Sequence, residues 1–180
     1  MNIYQPAEDS YFLTDILKKQ LPLLLQTNPG LTFLEIGAGS GIHLETAYNL
    51  GIKKENISSC DINKQSVYHC NSLGFKCVYS DLFKNLKGKW DMIIFNPPYL
   101  PEHQFDKEKD TSGGKKGDET IIRFLQQAKN YLNKNGRIFL LLSSQTPMEN
   151  IKKELKIYHT NLLGNERLFY EELFIYELTF

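Results

Sequence analysis

Asn96-Pro97-Pro98-Tyr99 holds a side-chain amide, a backbone carbonyl and an aromatic ring in one stiff bracket. Proline has no amide donor and fixes its own φ, and each residue before a proline is pushed towards extended geometry. A strand running into this sequence must stop there. An amino group on an sp² carbon is a poor nucleophile, because its lone pair is delocalised. The Asn96 side-chain oxygen and the Pro97 carbonyl can each accept one hydrogen of such an NH₂, Pro98 stiffens the turn, and Tyr99 can pack on the flat face. That arrangement turns the lone pair towards an electrophile and disperses the positive charge that develops. It needs no nucleophilic side chain, and His103 in the following loop reads as solvent-facing rather than as a base. The bracket fits adenine, cytosine, guanine or a glutamine amide equally, and a plain proline-terminated strand would use the same residues.

A second set of residues narrows the chemistry. Glu35-Ile36-Gly37-Ala38-Gly39-Ser40-Gly41 follows an apolar run and precedes a helical pattern. Glycines there let the backbone turn sharply and let a ligand come close to it. A dinucleotide fingerprint would place its third glycine one residue later, so this loop is tighter than one that meets a pyrophosphate. Asp61 closes the next apolar run, where a carboxylate in such folds accepts ribose hydroxyls. Asp81 closes the one after, where a carboxylate can accept from an adenine amino group while the Leu82 backbone meets the ring edge. Each aspartate alone could be a cap or turn residue. Three acids at three strand ends suit a ligand with adenosine and no phosphates, of which S-adenosylmethionine is the obvious candidate.

The elements that must position these residues are legible as periodicity. LTFLEI (31–36), NISSCDI (56–62), FKCVYS (75–80), WDMIIF (90–95) and RIFLLLS (137–143) read as strands. HLETAYNL, NKQSVYHCNSLG and DETIIRFLQQAKNYLN read as helices between them, which predicts a largely parallel sheet covered on both faces. EDSYFLTDILKKQL reads as a leading helix ending near Pro22. KIYHTNLL and RLFYEELFIYELTF, joined by GNE, read as an antiparallel hairpin closing the sheet. One unit is expected over residues 1–180, with a helical lead-in over 1–30 and the sheet core over 31–180. PEHQFDKEKDTSGGKKGD (101–118) is a long irregular segment of the kind that is functional or disordered.

Taken in order, Glu35-x-Gly-x-Gly-x-Gly, Asp61, Asp81-Leu82 and Asn96-Pro97-Pro98-Tyr99 resemble a class I methyltransferase of the amino-methylating kind, over nearly the whole chain. Tyr4-Gln5-Pro6-Ala7-Glu8-Asp9-Ser10-x-x-Leu13 is similar to the opening motif of HemK-type release-factor glutamine methyltransferases, in the short archaeal and eukaryotic branch. Gly113-Gly114-x-x-Gly117-x-Glu119 and Glu166-Arg167-Leu168 resemble that branch too, although Ser112 stands where the family has alanine. The long helical amino-terminal domain of bacterial members is expected to be missing. The resemblance implies a Rossmann-like α/β fold with a seven-stranded, mostly parallel sheet and S-adenosylmethionine as cofactor. It implies cofactor contacts from Ser10, Glu35, Gly37, Gly39, Asp61, Asp81, Leu82 and Asn96. It implies a catalytic and substrate-holding role for Asn96, Pro97 and Tyr99, with Pro98 in the substrate site. The implied substrate is the Gly-Gly-Gln tip of a class I peptide-chain release factor, and side activity on protein lysines belongs to the same family. The implied partner is a small zinc-binding activator subunit, docked along edge strand 75–80. An adenine-amino methyltransferase acting on RNA or DNA and a cofactor-binding module without turnover remain the competing readings.

Composition bounds these readings. Lysine plus arginine and aspartate plus glutamate are balanced at 21 each over 180 residues, so no broad basic surface for nucleic acid is expected. Cys60, Cys70 and Cys77 are odd in number and lack metal-ligand spacing, so they read as reduced thiols, with no metal site. The start MNIYQPAEDS has no basic-then-apolar pattern, and LPLLLQ is too short to span a bilayer. A cytoplasmic location is the expectation.

Overall fold

The computed structural model describes residues 2–98 and 117–180. Helix α1 (Glu8–Thr27) leads into β1 (Phe33–Ile36), α2 (Ile42–Asn49), β2 (Ile57–Asp61), α3 (Lys64–Ser72), β3 (Lys76–Tyr79) and β4 (Trp90–Phe95). After the long connection come α4 (Glu119–Ala128), β5 (Leu132–Ser143), α5 (Met148–Leu155), β6 (His159–Arg167) and β7 (Glu172–Thr179). The sheet has seven strands in the order β3-β2-β1-β4-β5-β7-β6. The first five are parallel, and β7 runs antiparallel between β5 and β6. The mostly parallel sheet with its antiparallel closing hairpin is therefore as expected.

All four residues of β1 are buried, as a strand covered on both faces requires. One apolar layer packs α1, α2 and α3 on the sheet through Leu13, Leu17, Leu44, Cys70, Phe33 and Met92. The other packs α4 and α5 on the opposite face through Phe124, Leu125, Ile151, Ile93 and Leu140. The register sets Ile36 beside both Cys60 and Phe95. The residues that follow these three, Gly37, Asp61 and Asn96, thus leave the sheet at one level. Cys60, Cys70 and Cys77 are buried and unbridged. Among the described residues no helix is long and apolar enough to cross a membrane.

Three local readings are corrected and one helix is added. The leading helix does not end near Pro22 but carries it inside and runs to Thr27. A proline there forfeits one backbone bond at about 3 kcal/mol, but Leu21 is fully buried and Leu24 and Leu25 pack against the same core. The hairpin does not turn at GNE: residues 164–166 lie within β6, and the turn is closed by the Leu168 amide donating to the Glu171 carbonyl. Gly164 serves close packing instead, since a Cβ there would sit 3.1 Å from Ile16 Cδ1. The helix expected over 118–133 stops at Ala128, and β5 begins at Leu132, with Asn135 at φ 64° beside a register shift against Trp90 and Met92. Helix α5 was not anticipated.

Strand β3 lies at the sheet edge, as expected, and side chains partly cover its outward backbone groups. Phe75 and Cys77 are buried, leaving Tyr79 the exposed apolar residue at 47%. The Asn71 side chain accepts from the Cys77 amide at 3.3 Å and donates to the Cys77 carbonyl at 2.9 Å. Asn85 Nδ2 donates to the Tyr79 carbonyl at 2.9 Å. Ser80 donates to Asp61 on β2, so by the alternation of a parallel ladder the Val78 amide also faces β2. A proline at Val78 would break the sheet itself.

Candidate active site

A cavity of about 310 Å³ opens along the carboxyl edge of β1, β2 and β4, where ligands bind in open α/β sheets. Its lining includes Ser10, Glu35, Gly37, Gly39, Asp61, Asp81, Leu82, Asn96, Pro97 and Pro98. Those ten sequence-selected residues are thus brought together. Tyr99, His103, Ser112, Gly113 and Gly114 lie outside the described residues.

The floor is the loop between β1 and α2. Gly39 has φ 51° and Gly41 φ 80°, a region that side chains disfavour. At Gly41 a Cβ would also meet Cys70 Sγ at 3.3 Å. The loop is tied to the next strand because Asp61 Oδ2 accepts from the Gly39 amide at 2.8 Å and Oδ1 from the Asn63 amide at 2.7 Å. Burial pushes the Asp61 carboxyl above its usual range, and these amides oppose the shift. Each carboxylate oxygen retains a lone pair for a ligand hydroxyl.

Glu35 is 2% exposed and meets His43 Nδ1 through Oε1 at 2.6 Å, while its Oε2 is buried with no partner among the described residues. Leu82 holds φ 49°, an uncommon backbone conformation outside glycine. It is pinned by its own buried side chain and by a carbonyl accepting from Ser80 Oγ at 2.8 Å. Asp81 pairs with Arg123 of α4 at 2.5 Å, both side chains nearly half exposed. A screened pair of this kind contributes little stability and can open for a ligand donor.

At the bracket, Asn96 Nδ2 donates to Asp9 Oδ2 at 2.8 Å. Asn96 Oδ1 is buried and has no partner among the described residues. A carboxylate accepts only, so it fixes which end of the amide is the NH₂. Asp9 is itself held by Tyr4 Oη at 3.0 Å and by the Ser10 amide at 2.7 Å. Burial and the Asp9 carboxylate push the Tyr4 hydroxyl well above its ordinary pKa, so it stays a donor.

Sequence reasoning missed Asp9, His43, Tyr4 and Arg123 as pocket residues. Asp9 sits inside the opening motif but reads as a helix-start acid. The only signal for His43 was a histidine at the second residue of a helix that opens on a glycine loop. Among the described residues no group of His, Cys, Asp and Glu is placed to hold a metal ion.

The Methyltransferase small domain family matches residues 12–169. A protein of Methanocaldococcus jannaschii, provisionally named a protein N5-glutamine methyltransferase, is 35% identical over 86% of this chain and 79% of its own. The mouse methyltransferase HEMK2 is 30% identical over 86% of this chain and 78% of its own. The structure of the E. cuniculi Mtq2-Trm112 complex, responsible for methylation of the eRF1 translation termination factor, matches the fold with a TM-score of 0.76. That match has 24% identity and covers 99% of this chain and 98% of the other.

Proposed function

This chain belongs to the small-domain methyltransferases, in the archaeal and eukaryotic branch of the HemK family, and from that membership we propose that it is a glutamine N5-methyltransferase. Its cofactor is S-adenosylmethionine, and its substrate is the Gly-Gly-Gln tip of a class I peptide-chain release factor. The name of the M. jannaschii relative supports the glutamine chemistry, and the methylation of eRF1 by the Mtq2 complex supports the substrate.

The residues present fit the cofactor. Asp61 would offer carboxylate acceptors to the ribose, Asp81 and Leu82 would hold the adenine, and Gly37, Gly39 and Ser10 would give backbone room and contact. Oε2 of Glu35, without a partner among the described residues, would accept from a donor on the amino-acid end. When bound, S-adenosylmethionine supplies an electrophilic methyl group on a good leaving group. The chain supplies orientation. Asn96 Oδ1 and the Pro97 carbonyl accept the two hydrogens of the substrate amide, Pro98 keeps their spacing, and Tyr99 is assigned the packing face. Acceptors fixed before the reaction also stabilise the positive charge that grows on nitrogen.

One observation carries this reading: a buried asparagine oxygen without a partner among the described residues, whose amide nitrogen is tied down by a carboxylate. The test is incubation with methyl-labelled cofactor and a release-factor fragment, with and without the tip glutamine. Label is expected only on the fragment carrying the glutamine. Label independent of that residue refutes the reading.

The Mtq2 complex with Trm112 also supports a small partner for this chain. The finer proposal is a zinc-binding activator docked along residues 75–80 and a cytoplasmic heterodimer. Docking there must displace Asn71 and Asn85 from the outward backbone groups of Cys77 and Tyr79. A monodisperse, fully active chain without any partner would refute it.

A further inference from the structure

His43 is 3% exposed beneath the glycine loop, and the functional reading gives it no task. Its Nε2 lies 3.0 Å from the Ser10 carbonyl, an oxygen that can only accept, so Nε2 carries a hydrogen. Its Nδ1 lies 2.6 Å from Glu35 Oε1. A bare imidazole nitrogen cannot face a bare carboxylate at that distance in a buried site, so one more proton lies between them. The pair is then neutral overall, whichever atom holds that proton. Burial pulls the imidazole pKa down, but the Glu35 carboxylate and its hydrogen bond outweigh this and hold it above its ordinary value. The carboxylates of Asp9 and Asp61 also act on the pair, Asp9 on His43 and Asp61 on Glu35.

The contacts have a geometric consequence. Glu35 is the third residue of the buried strand β1, His43 is the second residue of α2, and Ser10 belongs to α1. The imidazole therefore joins three elements around the pocket. It also occupies one oxygen of Glu35 and leaves the other, Oε2, as the acceptor that this residue contributes to the cavity. We propose that His43 is a positioning residue for ligand binding: through the shared proton it fixes Glu35 so that Oε2 receives a ligand N–H. This rests on the cofactor reading above, and it adds a role for His43.

Binding of S-adenosylhomocysteine, measured by calorimetry in a double-mutant cycle, tests it. His43→Ala is expected to weaken affinity about tenfold in the native background, and less than about twofold when Glu35 is already alanine. Equal losses in both backgrounds overturn the proposal, because a merely structural histidine would act regardless of Glu35. Nitrogen-15 imidazole spectra of the wild-type protein provide a second measurement that needs no variant to fold. A His43 ring protonated at Nε2 and sharing a proton at Nδ1 near neutral pH is expected. An Nδ1 with neither a proton nor a hydrogen bond to Glu35 overturns the proposal. A wild type that binds no S-adenosylhomocysteine overturns the cofactor reading and the ligand half of this inference, while the spectra still decide the shared proton.

Discussion

Replacing Asp9 with alanine is expected to slow methyl transfer without touching any group that accepts from the substrate. In the folded chain the Asp9 carboxylate takes Asn96 Nδ2 at 2.8 Å, which leaves the buried Oδ1 as the end of the amide without a partner among the described residues. Without the carboxylate, the two ends of the Asn96 amide become near equivalents. A flipped amide would present N–H to the N–H of the substrate. A charge-assisted hydrogen bond contributes about 1.5–3 kcal/mol. If that orientation energy is lost at the transition state, the rate falls about 10- to 150-fold, at tenfold per 1.4 kcal/mol. The assay is single-turnover transfer to a Gly-Gly-Gln peptide at saturating cofactor, so that affinity does not enter. Tyr4→Phe is the control, since it removes a donor from Asp9 and spares the bond to Asn96. It should cost less than about threefold. A rate for Asp9→Ala within twofold of wild type, or a loss confined to cofactor affinity, would refute the reasoning.

Asn96→Ala should slow the same single-turnover rate about a hundredfold or more while calorimetry shows cofactor affinity nearly unchanged. Asp61→Ala should lower that affinity about tenfold or more with the circular dichroism spectrum retained, because Asp61 holds the loop at Gly39 and is the proposed acceptor for the ribose. His43 has a folded pKa above the ordinary 6.5, so its stabilising contribution is full below that value and is lost as pH rises through the raised one. Urea midpoints should therefore decline on the alkaline side in the wild type, and the decline should be shallower in His43→Ala. Gly41→Ala places a Cβ at φ 80° and 3.3 Å from Cys70 Sγ, and should lower unfolding free energy by about 1–3 kcal/mol in urea titration.

The sequence disclosed the parts of the site that local chemistry dictates. A strand stopped by Pro97 and Pro98, and a loop needing positive φ at Gly39 and Gly41, follow from residue type alone. The strand periods then put Asp61 and Asp81 on the same edge, because parallel strands share one carboxyl end. What stayed hidden acts across the fold. Asp9 reads as a helix-start acid until the fold sets it against Asn96, 87 residues away. His43 reads as one more helical residue until Ser10, 33 residues back, lies over its ring. The same limit explains the misread hairpin. Glycine signals a turn locally, but at Gly164 the demand comes from Ile16 and Phe12 of α1 crossing the strand. At Pro22, local propensity lost to the burial of leucines on both sides.

The cavity is assembled from chain segments near residues 9, 35–43, 61–66, 80–82, 95–98 and 120–123. No single supersecondary unit contains it, so a partly folded chain has no site to offer. Ligand occupancy and complete folding are for this reason one equilibrium. At a hundred times its dissociation constant, a ligand that ignores the unfolded chain adds about 2.7 kcal/mol to stability. For a chain of ordinary marginal stability that increment lowers the unfolded fraction about a hundredfold. The unfolded fraction open to proteolysis then falls as the supply of the protein's own small-molecule ligand rises.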